Sequence, residues 1–149
     1  MYKSFLHPGF DLEVAVIFGA FFFALWKGDR PEKLGAGLNL TAGVVATGLM
    51  ILLTDAPPLA LLAIDAALSA GFLILAIRYA SLWLGAALLL QAVQFSLHAY
   101  YFVLGARHDF NYLVVNNIDT AGIDLSIVVG TILAWRRRLR DRREATGRA

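Results

Sequence analysis

The sequence contains no cysteine, and this absence excludes a disulfide framework, thiolate chemistry and any metal site built on cysteine. Charge is also scarce, at 16% of the 149 residues, whereas hydrophobic residues make up 59%. A soluble domain of this length needs a surface richer in charge, so these two values are typical of a membrane protein. Motifs for a nucleophile elbow, a phosphate loop or a dinucleotide site are missing as well, which makes an enzyme the least favoured functional class.

Five apolar stretches approach or reach the roughly 20 residues that a helix needs to cross the hydrocarbon core. Short connections separate them, so we predict an all-α fold, a polytopic transmembrane helix bundle with about five spans and antiparallel neighbours. Residues 1–135 form this single domain, and residues 136–149 form a basic cytoplasmic tail. The predicted spans are residues 10–26, 34–53, 59–77, 82–104 and 113–135.

The first span is shorter than the others. Its uncharged run, Val14 to Trp26, has 13 residues, which suits an interfacial helix as well as a full span. Phe10 and Leu12 extend this run, and the neighbouring acidic residues can lie at the membrane interface. We therefore predict a full span here, with the interfacial helix as the alternative.

The start of the second helix has a recognisable signal. Asp29 is followed three residues later by Glu32, which is the spacing of a capping box. Pro31 falls inside the first turn, where a helix tolerates proline. The sequence therefore predicts a helix that begins close to Asp29.

Positive charges are distributed unevenly around the predicted spans. With the N-terminus outside, 11 of the 13 lysines and arginines fall on the cytoplasmic side. Because basic residues favour that side, we predict that the N-terminus is out and the C-terminus is in. The aromatic residues agree, since Trp26, Trp83 and Trp135 fall at the predicted cytoplasmic interface and four of the five tyrosines near the opposite one.

The tail after Trp135 is the most basic part of the chain. We expect its arginines to bind anionic lipid headgroups and to fix the topology. No aromatic residue is interleaved among them for stacking on bases, so nucleic acid is not a predicted partner. These arginines are Arg136, Arg137, Arg138, Arg140, Arg142 and Arg143.

Polar residues interrupt the apolar spans, although a charged group at the bilayer centre costs about 2.5–3.5 kcal/mol. On the fourth and fifth spans these residues recur at helical spacing, which places them on one face of each helix. We predict that they converge, with an acid of the third span, on an interior pocket open toward the outer side. The candidate cluster is Asp65, Gln91, Gln94, His98, Asn116, Asn117, Asp119 and Asp124.

Two interpretations of this cluster stay open. Amide and hydroxyl side chains join membrane helices through hydrogen bonds of about 0.6 kcal/mol, so the cluster could be purely structural. Two aspartates and a histidine in one half of the membrane favour a functional site instead. If Asp124 is buried and unpaired, desolvation favours its neutral form, which suits a proton-binding role.

No metal site and no cofactor is predicted. His7, His98 and His108 all belong to the outer half, but their spacing matches no ligand motif. Only His98 lies within a span, so a haem held between two intramembrane histidines is not favoured either.

The second span carries a seam of small residues on one face. Such seams allow close helix packing, either within the bundle or between copies of the chain. The seam is Gly35, Asn39, Gly43 and Ala46.

The stretch Arg78 to His98 (RYASLWLGAALLLQAVQFSLH), together with the earlier loop KGDRPEKLGA, resembles small uncharacterised multi-pass inner-membrane proteins of alphaproteobacteria. This resemblance implies a location in the bacterial inner membrane and no activity. In size and number of spans the chain is also similar to the TspO family of porphyrin- and sterol-binding membrane proteins. The tryptophan-containing binding motifs of that family are not evident, so its ligand is not transferred.

The small size and short loops favour an accessory or ligand-binding subunit that works with another membrane component. The intramembrane Asp65, His98 and Asp124 favour the alternative, a small oligomeric proton- or cation-coupled transporter or channel. We prefer the first, because no span is broken by an internal proline at the midplane, as transporter sites often are. The expected partners are the lipid bilayer and either further copies of the chain or a larger membrane complex.

Overall fold

The computed structural model describes residues 8–53, 58–105 and 109–146, with side chains described from residue 15 onward. The described chain is helical, which confirms the predicted all-α class. Its elements are α1 (Pro8–Lys27), α2 (Arg30–Leu52), α3 (Pro58–Tyr79), α4 (Leu82–Leu104) and α5 (Phe110–Thr146).

Four of these helices, α2 to α5, are long and apolar enough to cross a membrane. In α1 the described apolar part is shorter, Ala15–Lys27. The whole of α1 has 20 residues and is therefore roughly 30 Å long, close to the thickness of the hydrocarbon core. The full crossing of the first span nevertheless stays a prediction.

The predicted spans lie within the helices except for Leu53, which caps α2. The largest difference is in α5, which continues through the predicted tail as far as Thr146. Arginine, leucine, glutamate and alanine dominate this stretch, and all four are good helix formers. The arginines of the tail therefore lie on a helical extension of the bundle.

The helices form a closed ring in chain order, because α1 packs against α5 as well as against α2, and α2 also touches α5 across the middle. We call one end of the bundle the arginine end. It holds the α1–α2 and α3–α4 connections and the start of the α5 extension. The opposite end holds the C-terminus of α4 and the N-terminus of α5, and we call it the tyrosine end.

The start of α2 follows the sequence signal. The backbone N–H of Asp29 donates to Glu32 Oε2 at 3.0 Å, as a capping box requires, and Pro31 lies in the first turn. The Glu32 side chain is completely buried, and its other oxygen, Oε1, accepts a hydrogen bond from the Trp83 indole at 3.0 Å. The capping residue therefore also ties α2 to α4.

The Trp83 ring is enclosed by two glycines. A Cβ added to Gly35 would lie 2.7 Å from the ring, and one added to Gly130 would lie 2.6 Å from it. Trp83 is only 5% exposed and belongs to the hydrophobic core with Phe72, Leu84 and Ile127. Its assignment to the lipid interface was wrong, because at the start of α4 the neighbouring Leu82 faces outward and Trp83 faces α2 and α5.

One tail arginine is held by the bundle. Arg138 donates to the backbone carbonyl of Lys27, and its Nε lies 3.2 Å from Asp29 Oδ1. The pair with Asp29 is about 40% exposed, so it contributes little stability by itself, but it connects the start of the α5 extension to the α1–α2 connection. The other candidate tail arginines, Arg136, Arg137, Arg140, Arg142 and Arg143, are exposed.

Candidate functional site

A cavity of about 570 Å³ lies in the tyrosine half of the bundle, and all five helices contribute to its wall. This volume is within the range of about 300–1,000 Å³ that small-molecule sites usually occupy. Its wall from α1 and α2 is mostly apolar, whereas α3, α4 and α5 add most of the polar side chains. The polar residues along the wall are Asn39, Thr47, Asp65, Gln94, His98, Tyr112, Asn116 and Thr120.

A hydrogen-bonded network joins three helices along this wall. His98 of α4 contacts Asp65 Oδ2 of α3 through Nδ1, and its Nε2 lies 3.2 Å from Asn116 Oδ1 of α5. Gln94 Nε2 donates to the same Asn116 oxygen at 3.1 Å, and Gln91 Nε2 donates to Asp65 Oδ1 at 3.4 Å. The sequence pattern groups these five residues as candidates, and the structure places them in one network.

The two ring nitrogens of His98 each face an oxygen. Nδ1 contacts Asp65 Oδ2, and Nε2 lies 3.2 Å from Asn116 Oδ1. An imidazole nitrogen donates a hydrogen bond when it carries a proton and accepts one when it does not. The ring can therefore form hydrogen bonds to α3 on one side and to α5 on the other.

Aromatic side chains lead from this network to the tyrosine end. The Tyr112 ring lies 5.5 Å from the His98 ring and 5.0 Å from the Tyr101 ring. The Tyr101 hydroxyl donates to Asp109 Oδ1 at 2.6 Å, and the Tyr112 backbone N–H donates to the same oxygen at 2.9 Å. The hydrogen bond from the Tyr101 hydroxyl lowers the pKa of the exposed Asp109 carboxyl below its ordinary value, and the hydrogen bond from the Tyr112 backbone N–H has a smaller effect in the same direction.

No protein-family model, curated protein or solved structure matches this chain. The resemblances stated from the sequence therefore stay predictions, and the site has to be interpreted from its own chemistry.

Asp124 lies deeper, toward the arginine end, and is 2% exposed. It accepts a hydrogen bond from Asn39 Nδ2 at 2.8 Å, so the condition that it be unpaired is not met. Asn39 also lines the cavity, whereas the sequence pattern assigns it to packing because Gly35 and Gly43 share its face. One sequence signal could have identified Asn39 as part of the site, namely the presence of a polar amide within a seam of small residues.

The remaining two candidates stand apart from the network. Asn117 is exposed, because it lies 100° around the helix from Asn116 and only one of the two can face the interior. Asp119 is 4% exposed, and its Oδ2 has no hydrogen-bond partner among the described residues. Including Asn117 in the converging cluster was therefore wrong, while Asp119 is buried outside the hydrogen-bonded network.

The chemistry available at the wall is narrow. Of the described residues that line the cavity, Asp65 supplies a carboxyl group and His98 an imidazole, and the two face each other. Within the described ranges, no group of three or more His, Asp or Glu side chains is arranged to hold a metal ion. The wall therefore combines a large apolar surface with one compact polar patch.

Proposed function

We propose that this chain is an accessory or ligand-binding membrane protein that holds a small lipophilic molecule inside its helix bundle. The observation that supports this function is the cavity, whose apolar wall would receive a hydrocarbon group while the Asp65–His98–Asn116 patch binds a polar head. Ligand sites commonly have this composition, with a few placed polar groups in an apolar pocket.

The interior beyond the patch favours binding over transport. Between the cavity and the arginine end, the bundle is filled by Phe72, Leu84, Ile127 and the enclosed Trp83, all nearly or fully buried. These side chains pack closely around the buried polar residues of this part, Asp124, Thr131 and Glu32, so a proton or a cation would have to pass through a filled interior. The transporter that the sequence left open as the alternative would need this interior to rearrange.

Ligand retention tests the proposed function. Gly43 lines the cavity, and a Cβ there meets only Ile17 Cδ1 at 3.9 Å, so Gly43→Leu should place a bulky side chain in the cavity and reduce its volume. We expect about tenfold less lipophile to co-purify with this variant, measured by solvent extraction and mass spectrometry of protein isolated in mild detergent.

Gly37→Leu is the matched control on the same helix, because Gly37 has open space around it and does not line the cavity. It should retain the wild-type amount of lipophile. Equal retention by both variants, or a wild-type protein that carries no lipophile, would contradict the proposed function.

We also infer that five helices span the bacterial inner membrane, with the N-terminus and the tyrosine end outside and the arginine end in the cytoplasm. The cysteine-free chain allows this to be tested with single cysteines and a membrane-impermeant maleimide on intact cells. Asn111→Cys and Ser4→Cys should react, and Thr146→Cys should react only after lysis. The opposite pattern would reverse the topology, and Ser4→Cys protected like Thr146→Cys would show that α1 does not cross.

A further inference from the structure

We propose that the lipophile is a quinone or the corresponding quinol, bound with a ring oxygen at the side-chain nitrogens of His98 and Gln94. This inference rests on the proposed function and names the ligand class of the same cavity. It follows from the charge of the polar patch, from its hydrogen-bonding groups and from its aromatic wall.

The charges along the wall favour an uncharged head. No lysine or arginine is among the described residues that line the cavity, so a carboxylate or phosphate head would have no free cation to bind. An ammonium head would have to share the Asp65 carboxylate with Gln91 at Oδ1 and with His98 at Oδ2. Because an unpaired charge is costly in an apolar site, a neutral head is the one that fits.

The hydrogen-bonding groups favour a head that carries a carbonyl oxygen. His98 Nε2 and Gln94 Nε2 converge on a single carbonyl oxygen, Asn116 Oδ1, at 3.2 and 3.1 Å. A rotation of the Asn116 side chain, which lines the cavity, would leave the two nitrogens directed at a ligand oxygen in its place. The structure thus already shows the geometry in which this patch holds a carbonyl group.

The Asp65–His98 pair suits a head that exists in an accepting and a donating form, as a quinone and its quinol do. A quinone oxygen accepts a hydrogen bond, and the corresponding quinol oxygen donates one. Imidazole beside a carboxylate can serve both, since its outer nitrogen donates when protonated and accepts when neutral. Tyr112 and His98 line the same wall with rings 5.5 Å apart, and such rings pack well against a flat head.

Binding of matched decyl compounds tests the inference. Wild-type protein in nanodiscs of defined lipid would be titrated with decylubiquinone, decanol, decanoate and decyltrimethylammonium, with the dissociation constants measured by calorimetry. These probes share one chain and differ in the head, so they separate head recognition from chain binding. We expect decylubiquinone to bind at least about tenfold more tightly than the other three.

Two neighbouring asparagines provide the variants. Asn116→Ala should strengthen the preference for decylubiquinone, because it removes the carbonyl group that occupies the two donor nitrogens in this structure. Asn117→Ala changes an exposed residue of the same type and should leave the preference unchanged. His98→Gln should remove the preference, because it keeps a hydrogen-bonding side chain without the acid–base ring. Gln94→Ala removes the other donor and tests the same point if His98→Gln does not fold.

The outcomes separate the two proposals. Equal or tighter binding of decanol, decanoate or the ammonium compound would overturn the quinone assignment. If Gly43→Leu weakens the binding of any of these compounds, the lipophile site itself would still be supported. No binding of any probe, together with unchanged lipid retention in Gly43→Leu, would overturn both. A preference for decylubiquinone that survives in His98→Gln and Gln94→Ala would place the quinone elsewhere and overturn the site.

Discussion

Gly130→Ala is expected to destabilise the bundle by about 1–3 kcal/mol, the usual cost of overpacking a filled core. The new Cβ would lie 2.6 Å from Cδ1 and Cγ of Trp83, atoms close to the backbone that cannot swing aside as the tip of a side chain can. The ring cannot retreat either, because Gly35 lies against Cη2 on its far side and Glu32 holds the indole nitrogen.

The measurement is thermal unfolding in detergent, followed by tryptophan fluorescence. Gly85→Ala on α4 is the matched control, since nothing lies within 4 Å of a Cβ added at Gly85. Replacing a glycine within a helix in open space stabilises by up to about 1 kcal/mol, so the two variants should shift the midpoint in opposite directions. A shift of the same sign and size in both would mean that Trp83 is not enclosed as described.

His98→Ala is expected to destabilise the protein by about 1–3 kcal/mol, the cost of leaving a buried polar group without its partner. The reason is that Asp65, which is 8% exposed, would keep a single hydrogen bond, the 3.4 Å contact from Gln91. The companion variant Asp65→Asn removes the charge, and in this background His98→Ala should cost much less.

A double-mutant cycle measures this difference. The four proteins would be unfolded reversibly in mixed micelles of a mild detergent and sodium dodecyl sulfate, and their free energies of unfolding compared. Coupling of about 0.5–3 kcal/mol between the two sites is expected for residues in contact. Additive effects would contradict the contact and, with it, the polar patch on which the proposed ligand site depends.

The helices could be predicted from the sequence because their signals are local. Each signal lies within one continuous stretch of the chain, whether it is an apolar run, the Asp29–Glu32 spacing or a short connection. The three- and four-residue spacing of Gln91, Gln94 and His98 likewise places them on one face of a helix by periodicity alone. Local periodicity is sufficient wherever the contact lies on one helix.

Contacts between distant parts of the chain could not be predicted in this way. Asn39 and Asp124 are 85 residues apart, and Glu32 and Trp83 are 51 apart, so no spacing along a helix reveals that they meet. For that reason the sequence pattern assigns Asn39 to packing, Trp83 to the lipid interface and Glu32 to capping alone. The same limit explains why the sequence pattern wrongly places Asn117 in the cluster. Whether Asn117 faces the interior depends on which side of α5 the other helices approach.

The unbroken course of α5 has a mechanical consequence. Over 37 residues the helix is roughly 55 Å long, and neither a proline nor a break in the helix interrupts it. Asn116, Thr120 and Ile123 touch the cavity near one end, while Arg138 rests against the Lys27 carbonyl farther along. One continuous helix thus connects the cavity wall to the exposed arginines beyond the bundle. A change in the tilt of α5 at the cavity would reach those arginines directly, with no loop in between to absorb it.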